Sequence, residues 1–443
     1  MTIAGNTSRP SFAGSVLLTY GASVLASFLS LVSVIFTSRA LGPEGRGTLA
    51  FLTTVAMLTS QLSSLGVEEA SANVVGREPQ RRSALGTNAI LLALGLGTAG
   101  LGVVALLIAI FPGIAGDASS GLLWLALASV PLLVLQFYLQ FIIRADYGFV
   151  ATNVALLAAP SLNVLVNGLL FLFDALTVRA AMLTWIAGQV LATALLLAYV
   201  SRRLAGFGKP DAKLAAQSLG FGLKTHAGRV MKTGNYRLDQ WLLGSLAGSR
   251  ELGLYSVAVA WAEALFFLPE ALASVLRPDL VRAETEYAGA RGAAVFRIAV
   301  VLTLVFAICF IIAAPLLCVW TFGEEFRGSI DDLRVLAPGA LGIVALKLLG
   351  NALVAQRRPG LSNVAIGLAF AVTVGLDLLL IPQYGGLGAA IASTVAYTAG
   401  GAAVAVIFAR ALNVSLRRMF PAVADLRVLS SGLARLAARS GSR

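Results

Sequence analysis

Charge is scarce in this chain. Only 12% of its 443 residues are Asp, Glu, Lys or Arg, about half the share of a soluble domain, which excludes a soluble globular fold. Histidine occurs once and cysteine twice. That leaves no metal-ligand cluster and no disulfide framework. Cys309 and Cys318 lie on one predicted helix, about 180° apart around its axis, and cannot bridge each other. They are packing residues. Long polar connections are missing too: outer loops reach about ten residues at most, so no extramembrane domain is expected.

Apolar residues take the place of charge. They make up 58% of the sequence, and the mean hydropathy is +0.87. Eleven runs are long enough to cross about 30 Å of hydrocarbon at 1.5 Å per residue: 12–36, 47–65, 84–110, 122–143, 150–171, 180–200, 254–276, 295–320, 333–355, 361–381 and 387–409. The first exceeds a signal-peptide core and lacks a small-residue cleavage site, so it reads as a retained helix.

Between the sixth and seventh runs, residues 219–246 carry Lys224, His226, Arg229, Lys232, Arg237 and Asp239. A cation at bilayer depth costs roughly 2.5–3.5 kcal/mol on the lenient insertion scale. Hydropathy would skip this stretch, yet topology requires it to span. With the N-terminus inside, Arg77, Arg81, Arg82, Arg144, Arg202 and Arg203 face the cytoplasm, as the positive-inside rule asks. If 219–246 were a loop, the later arginines, from Arg277 to the tail after Arg410, would all be translocated. Counting it as a seventh span returns them to the inside. Twelve spans follow, with both termini cytoplasmic. The +12 net charge is then largely loop bias dispersed over many short segments, which argues against nucleic-acid binding.

Six spans, a basic linker and six more spans read as a duplicated unit whose copies are parallel, related by an axis along the membrane normal. The halves are 1–205 and 206–410, with a basic cytoplasmic tail at 411–443. The stretch from Leu41 to Ala50, after span one, echoes that from Ala247 to Ser256, after span seven, about 206 residues on. Span one also bears a stripe of hydroxyls, including Ser15, Thr19, Ser23, Ser27, Ser30, Ser33 and Thr37, within roughly 120° of arc. Such a stripe suits a helix seam or a cavity wall equally. As the counterpart of charged span seven, it is assigned to the wall.

A charged transmembrane helix must line water or meet buried partners, so span seven is the candidate site. Arg229, Lys232, Tyr236 and Asp239 fall within roughly 80° of arc, and span eight offers Glu263 and Glu270 on one face. Lys232 and Glu263 sit at similar depth and could pair. The cations Lys224, Arg229, Lys232, Arg237 and Lys347 outnumber Asp239, Glu263 and Glu270. That surplus suits an anionic substrate. Pro269, beside Glu270, removes a backbone donor and is a candidate hinge. In the tail, Leu426, Leu429, Leu433 and Leu436 recur at helical spacing among arginines, the pattern of an amphipathic helix on an anionic leaflet.

Several motifs carry a family resemblance: the run from Ser38 to Pro43 with Gly47, the stretch from Asp239 to Ala258, and the run from Asp377 to Pro382 followed by Gly385 to Ala390. Over about residues 10–410 they resemble the polysaccharide transporters, the O-antigen and exopolysaccharide flippases of the multidrug/oligosaccharidyl-lipid/polysaccharide (MOP) exporter superfamily. The resemblance implies an all-α integral membrane protein, twelve helices in two parallel six-helix bundles around a central cavity. It implies alternating access and undecaprenyl-pyrophosphate-linked oligosaccharide as cargo, moved across the bacterial inner membrane. Arg229, Lys232, Arg237, Lys224 and Lys347 would hold the headgroup, and Tyr236 with Ser23, Ser27 and Ser30 the sugars. Asp239, Glu263 and Glu270 would couple transport to a proton or sodium gradient without a bound cofactor. Membrane lipids, with a polysaccharide polymerase or glycosyltransferase, are the partners expected beside it. Two rival readings are a multidrug exporter of the same superfamily, which would need an acidic lumen, and a membrane-embedded glycan polymerase, ligase or O-acyltransferase. An enzyme would need positioned acid/base groups and usually a large outer loop, and the chain has neither, so it is not read as an enzyme.

Overall fold

In a computed structural model, which describes residues 12–204 and 206–421, the described residues are mostly helical and contain no strand. Thirteen α-helices follow in order: α1 (Phe12–Ser63), α2 (Val67–Arg77), α3 (Arg82–Ile110), α4 (Ser120–Ala128), α5 (Val130–Ala145), α6 (Phe149–Leu172), α7 (Val178–Arg203), α8 (Ala212–Leu246), α9 (Gly248–Ala262), α10 (Phe267–Arg282), α11 (Thr285–Pro315), α12 (Ser329–Ala355) and α13 (Pro359–Ala411). Tail positions Leu426 to Leu436 lie outside the described residues.

Backbone chemistry explains how the twelve expected crossings map onto fewer continuous helices. Among the described residues nine helical stretches are long and apolar enough to cross a membrane. Two of them are doubled: α1 turns at Gly42 (φ 64°) and α13 at Gly385 (φ 54°). Left-handed φ is open to glycine at no Cβ penalty, and Pro43 and Pro382 flank these turns where a helix interior would reject them. The twelfth crossing expected from the loop arginines falls on α8, 35 residues long. At 1.5 Å per residue it spans a bilayer with turns to spare. Its start is set by Asp211, whose Oδ1 accepts the Leu214 amide at 2.9 Å, satisfying one of the orphan donors of the first turn.

Contacts divide the chain into two compact units. The first holds residues up to Phe36, Thr59–Val104 and Leu125–His226. Its core packs α6 on α7, where a Cβ on Gly188 would touch the Ala159 backbone at 3.0 Å, the small-residue contact typical of membrane helices. Tyr138 of α5 is fully buried and donates to the Ser64 carbonyl at 2.8 Å. Polar bonds join span one to α6: Asn153 donates to Thr19 Oγ1 at 3.2 Å and Asn167 to Ser33 Oγ at 3.1 Å.

The second unit holds Thr37–Leu58, Ala105–Trp124 and everything from Ala227 on. At its centre α12 is buried over most of its length. Gly342 lets the second half of α13 approach so closely that a Cβ there would overlap the Tyr397 carbonyl. Cys309 is exposed and Cys318 buried, both free thiols, as opposite faces of one helix require.

Candidate functional site

The charged half of α8 enters the second unit at Ala227, which brings Arg229, Lys232, Tyr236, Arg237 and Asp239 together with Glu263, Glu270 and Lys347 in one unit. Lys224, Ser23, Ser27 and Ser30 belong to the first. Ser23 and Ser30 donate their hydroxyls to the carbonyls of Thr19 and Ala26 on their own helix, so toward any substrate they can act only as acceptors.

Opposite α8, span eight is not one helix. It breaks between α9 and α10 into a 3₁₀ turn, Glu263–Phe266, three residues before Pro269. The proline has no amide hydrogen for the preceding turn, and a mid-helix 3₁₀ stretch often marks a hinge. The break presents Glu263 to Arg237, with Nη2 to Oε1 at 3.0 Å and both side chains about one third exposed. The pairing expected from depth alone, Lys232 with Glu263, is therefore not the one formed. Glu270 is taken by Lys347, whose Nζ also sits 5.7 Å from the centroid of the Phe266 ring, within cation–π range.

Those two pairs consume both glutamates. Lys232 is left exposed, with no ion pair and no hydrogen bond among the described residues; Glu270, Lys347 and Arg229 are the charges it feels. Beside it Tyr236, Phe266 and Tyr397 form an aromatic trio with centroids 6.0–6.4 Å apart. A cation with no fixed counter-charge next to aromatic faces can accept an anion and a ring-shaped polar group together.

A second layer lies deeper. Asp239 is 2% exposed and accepts from Tyr255 Oη at 2.5 Å, from the Gln240 amide at 2.7 Å and from Ser393 Oγ at 3.3 Å. One turn before it, Asn235 accepts Thr373 Oγ1 at 2.7 Å and offers its carbonyl to Tyr397 Oη at 3.1 Å. One turn after Thr373 comes Asp377. It is 0% exposed, and neither carboxylate oxygen has a hydrogen-bond partner. Because residues four apart share a helix face, the bonded pair Asn235 and Thr373 sets Asp239 and Asp377 toward each other.

Asp377 is the residue that sequence reasoning noted only as part of a motif. It was detectable: a lone acid inside the apolar run 361–381 is costly, and an intramembrane carboxylate is a functional candidate by default. Tyr255, Ser393, Asn235 and Thr373 gave no such signal, since neutral polar residues are common in helix seams. Among the described residues, no cluster of three or more His, Cys, Asp or Glu side chains could hold a metal ion.

The profile of the family described as polysaccharide biosynthesis protein matches residues 13–283. No curated protein matches the sequence. Solved structures do. An inward-facing multidrug resistance MATE family transporter of the MOP superfamily aligns with TM-score 0.70 at 15% identity, covering 91% of this chain and 99% of that one. Lipid II flippase MurJ, in an inward closed conformation, aligns at 0.72 and 14%, covering 88% and 87%. A MOP superfamily transporter from Pyrococcus furiosus, whose binding pocket has reversed polarity, aligns at 0.61 and 15%, covering 91% and 95%. At such identities the likeness speaks for the fold, while the family match covers more than half of the chain. This multi-pass membrane protein thus has the fold of the MOP transporters and belongs to the polysaccharide biosynthesis protein family.

Proposed function

We propose that the protein is a flippase, not an enzyme, that moves undecaprenyl-pyrophosphate-linked oligosaccharide from the cytoplasmic to the outer leaflet of the bacterial inner membrane by alternating access. Both termini face the cytoplasm, and the duplicated halves are 1–205 and 206–410. The observation that carries the reading is Lys232, an exposed cation on a transmembrane helix whose neighbouring glutamates are each paired with another cation. A pyrophosphate supplies the missing charge. Arg229 and Lys232 hold it, and Arg237 and Lys347 can join them on leaving Glu263 and Glu270, with the guanidinium forks suited to phosphate oxygens. Tyr236 and its aromatic neighbours take sugar faces. Ser23, Ser27 and Ser30 take sugar hydroxyls and Lys224 the headgroup, and the polyprenyl tail stays in lipid.

Asp239 and Asp377 are the coupling element. Two buried carboxylates facing each other cannot both stay ionised without a compensating charge, so the pair takes up a proton or a sodium ion. The orphaned oxygens of Asp377 and the hydroxyls of Thr373 and Ser393 fit either one. Loading and unloading it biases the cavity between its two openings. Glu263 and Glu270 act by exchanging partners with the substrate. A multidrug exporter would need free acid facing cationic drugs, and here Arg237 and Lys347 occupy those glutamates.

Deleting the gene should make undecaprenyl-pyrophosphate-linked glycan accumulate in the cytoplasmic leaflet, read by mass spectrometry of extracted lipids. Unchanged lipid intermediates, or loss of cationic-dye efflux instead, would overturn the reading.

A further inference from the structure

At the end of the second unit that carries the Gly42 and Gly248 turns, the echoed segments meet reciprocally. A Cβ on Gly47 would overlap the carbonyl oxygen of Ser249, and a Cβ on Gly253 would overlap that of Pro43. Gly47 and Gly253 are echo partners, about 206 residues apart, and so are Pro43 and Ser249. The pattern repeats. Gly42 (φ +64°) would bring a Cβ within 2.8 Å of Glu325 Oε2, and Gly248 (φ +88°) within 2.7 Å of Asp117 Oδ2. Arg39 donates Nη2–H to the Trp320 carbonyl at 2.6 Å, and its echo partner Ser245 donates Oγ–H to the Ile114 carbonyl at 3.1 Å.

Residue i meeting j′ while i′ meets j is the signature of an isologous twofold contact, realised here between two copies within one chain. The weak sequence echo thereby becomes a physical seam. Its two sides are not equal. Arg39 adds a second bond, from Nε to the Thr321 carbonyl at 2.8 Å, at a helix C-terminus where carbonyls lack intrahelical donors and attract a cation. Among the described residues Ser245 makes a single neutral bond, to Ile114. Ser249 donates its amide to Asp117 at 3.2 Å, a bond that Pro43, having no N–H, cannot copy.

We propose that this reciprocal seam is the outer gate of the protein, closed in this structure, and that Arg39 is its latch. The inference rests on the orientation and transport reading given above. Backbone lying on backbone at paired glycines interlocks no side chains, so the surfaces can part without repacking. The Arg39 and Ser245 bonds end on main-chain carbonyls near the predicted outer surface, where water can replace them and each net loss is small. One charged latch then outweighs its neutral echo partner in holding the gate shut.

The test uses the full-length protein in right-side-out vesicles, with Cys309→Ala and Cys318→Ala as background. Thr48→Cys with Ser249→Cys bridges the seam, because the two native hydroxyl oxygens are 3.2 Å apart. With Lys232→Cys as reporter, a membrane-impermeant maleimide should label the reduced protein, and oxidation should slow labelling at least tenfold. Gly47→Leu, which wedges the seam apart, and Arg39→Gln should each speed labelling several-fold, and Ser245→Ala less. No labelling of the reduced protein, equal labelling before and after oxidation, or a Gly47→Leu rate equal to the parent's overturns the gate. Export is read separately, without the reporter: crosslinking should stop it and reduction restore it. Crosslink-controlled labelling in a protein that moves no lipid-linked oligosaccharide would leave the gate standing and sink the substrate reading.

Discussion

Span one and span seven occupy echoed positions, and each is tied by polar bonds to the helix four spans on, yet the chemistry of the two seams differs. In the first unit, Thr19 and Ser33 accept from Asn153 and Asn167, a neutral seam. In the second, Asn235 and Thr373 bond, and the next turn presents the buried acids Asp239 and Asp377. Ser33 and Asp239 are about 206 residues apart, so the echoed position carries a hydroxyl in one half and a carboxylate in the other. A hydroxyl–amide bond is enough to hold two helices together. Burying two acids where neutral groups suffice costs stability, and that cost points to work done only by the second copy.

Changing Asp377 should break the comparison most severely. Asp377→Asn removes a charge that no protein donor stabilises, so it should abolish glycan export while leaving thermal stability equal or higher. Export at the parent's rate would mean that the acidic seam is only structural. Next in size is Lys232→Gln. Losing a charge-assisted contact to phosphate should cost about 1.5–3 kcal/mol, a tenfold or larger drop in affinity for lipid-linked pyrophosphate, at normal membrane abundance. Lowered abundance would assign Lys232 to folding instead.

Arg237→Gln should behave in the opposite way, because it strands Glu263. Protein level should fall, and Arg237→Gln with Glu263→Gln should restore it, as measured by immunoblot of membranes. A single variant at full abundance would show that the pair carries no structural weight. The smallest effect belongs to the neutral seam: Asn167→Ala should lower stability by about 0.5–1.5 kcal/mol and leave export unchanged. An export defect as large as that of Asp377→Asn would erase the distinction between the two copies.

The comparison also separates what was legible in residues from what was not. Eleven apolar runs, a charged twelfth span inferred from the parity of the loop arginines, the family resemblance and the excess of cations over acids all follow from composition, spacing and sequence motifs. Each is a one-dimensional quantity, and the helical fold, the turns at Gly42 and Gly385 and the long α8 agree with them. The echo between 41–50 and 247–256 was visible as well. Its meaning was not, because similarity along the chain does not say which copies touch.

Counting residues from the membrane edge places a side chain along the helix axis to within a turn, which is why Lys232 and Glu263 looked paired. It leaves rotation about the axis and the choice of neighbouring helix undetermined. Those depended on packing: the 3₁₀ break before Pro269 swings Glu263 onto Arg237, and Lys347 arrives from α12 to take Glu270. The hydroxyl stripe divided for the same reason, Thr19 and Ser33 going to the seam with α6 while Ser23 and Ser30 bond their own helix. The sequence by itself determined that this chain crosses the membrane many times and that the stretch 219–246 carries surplus cation, since hydration cost is counted per residue. Only the tertiary structure decided which charges are left without a partner, because pairing is a property of the distances between helices.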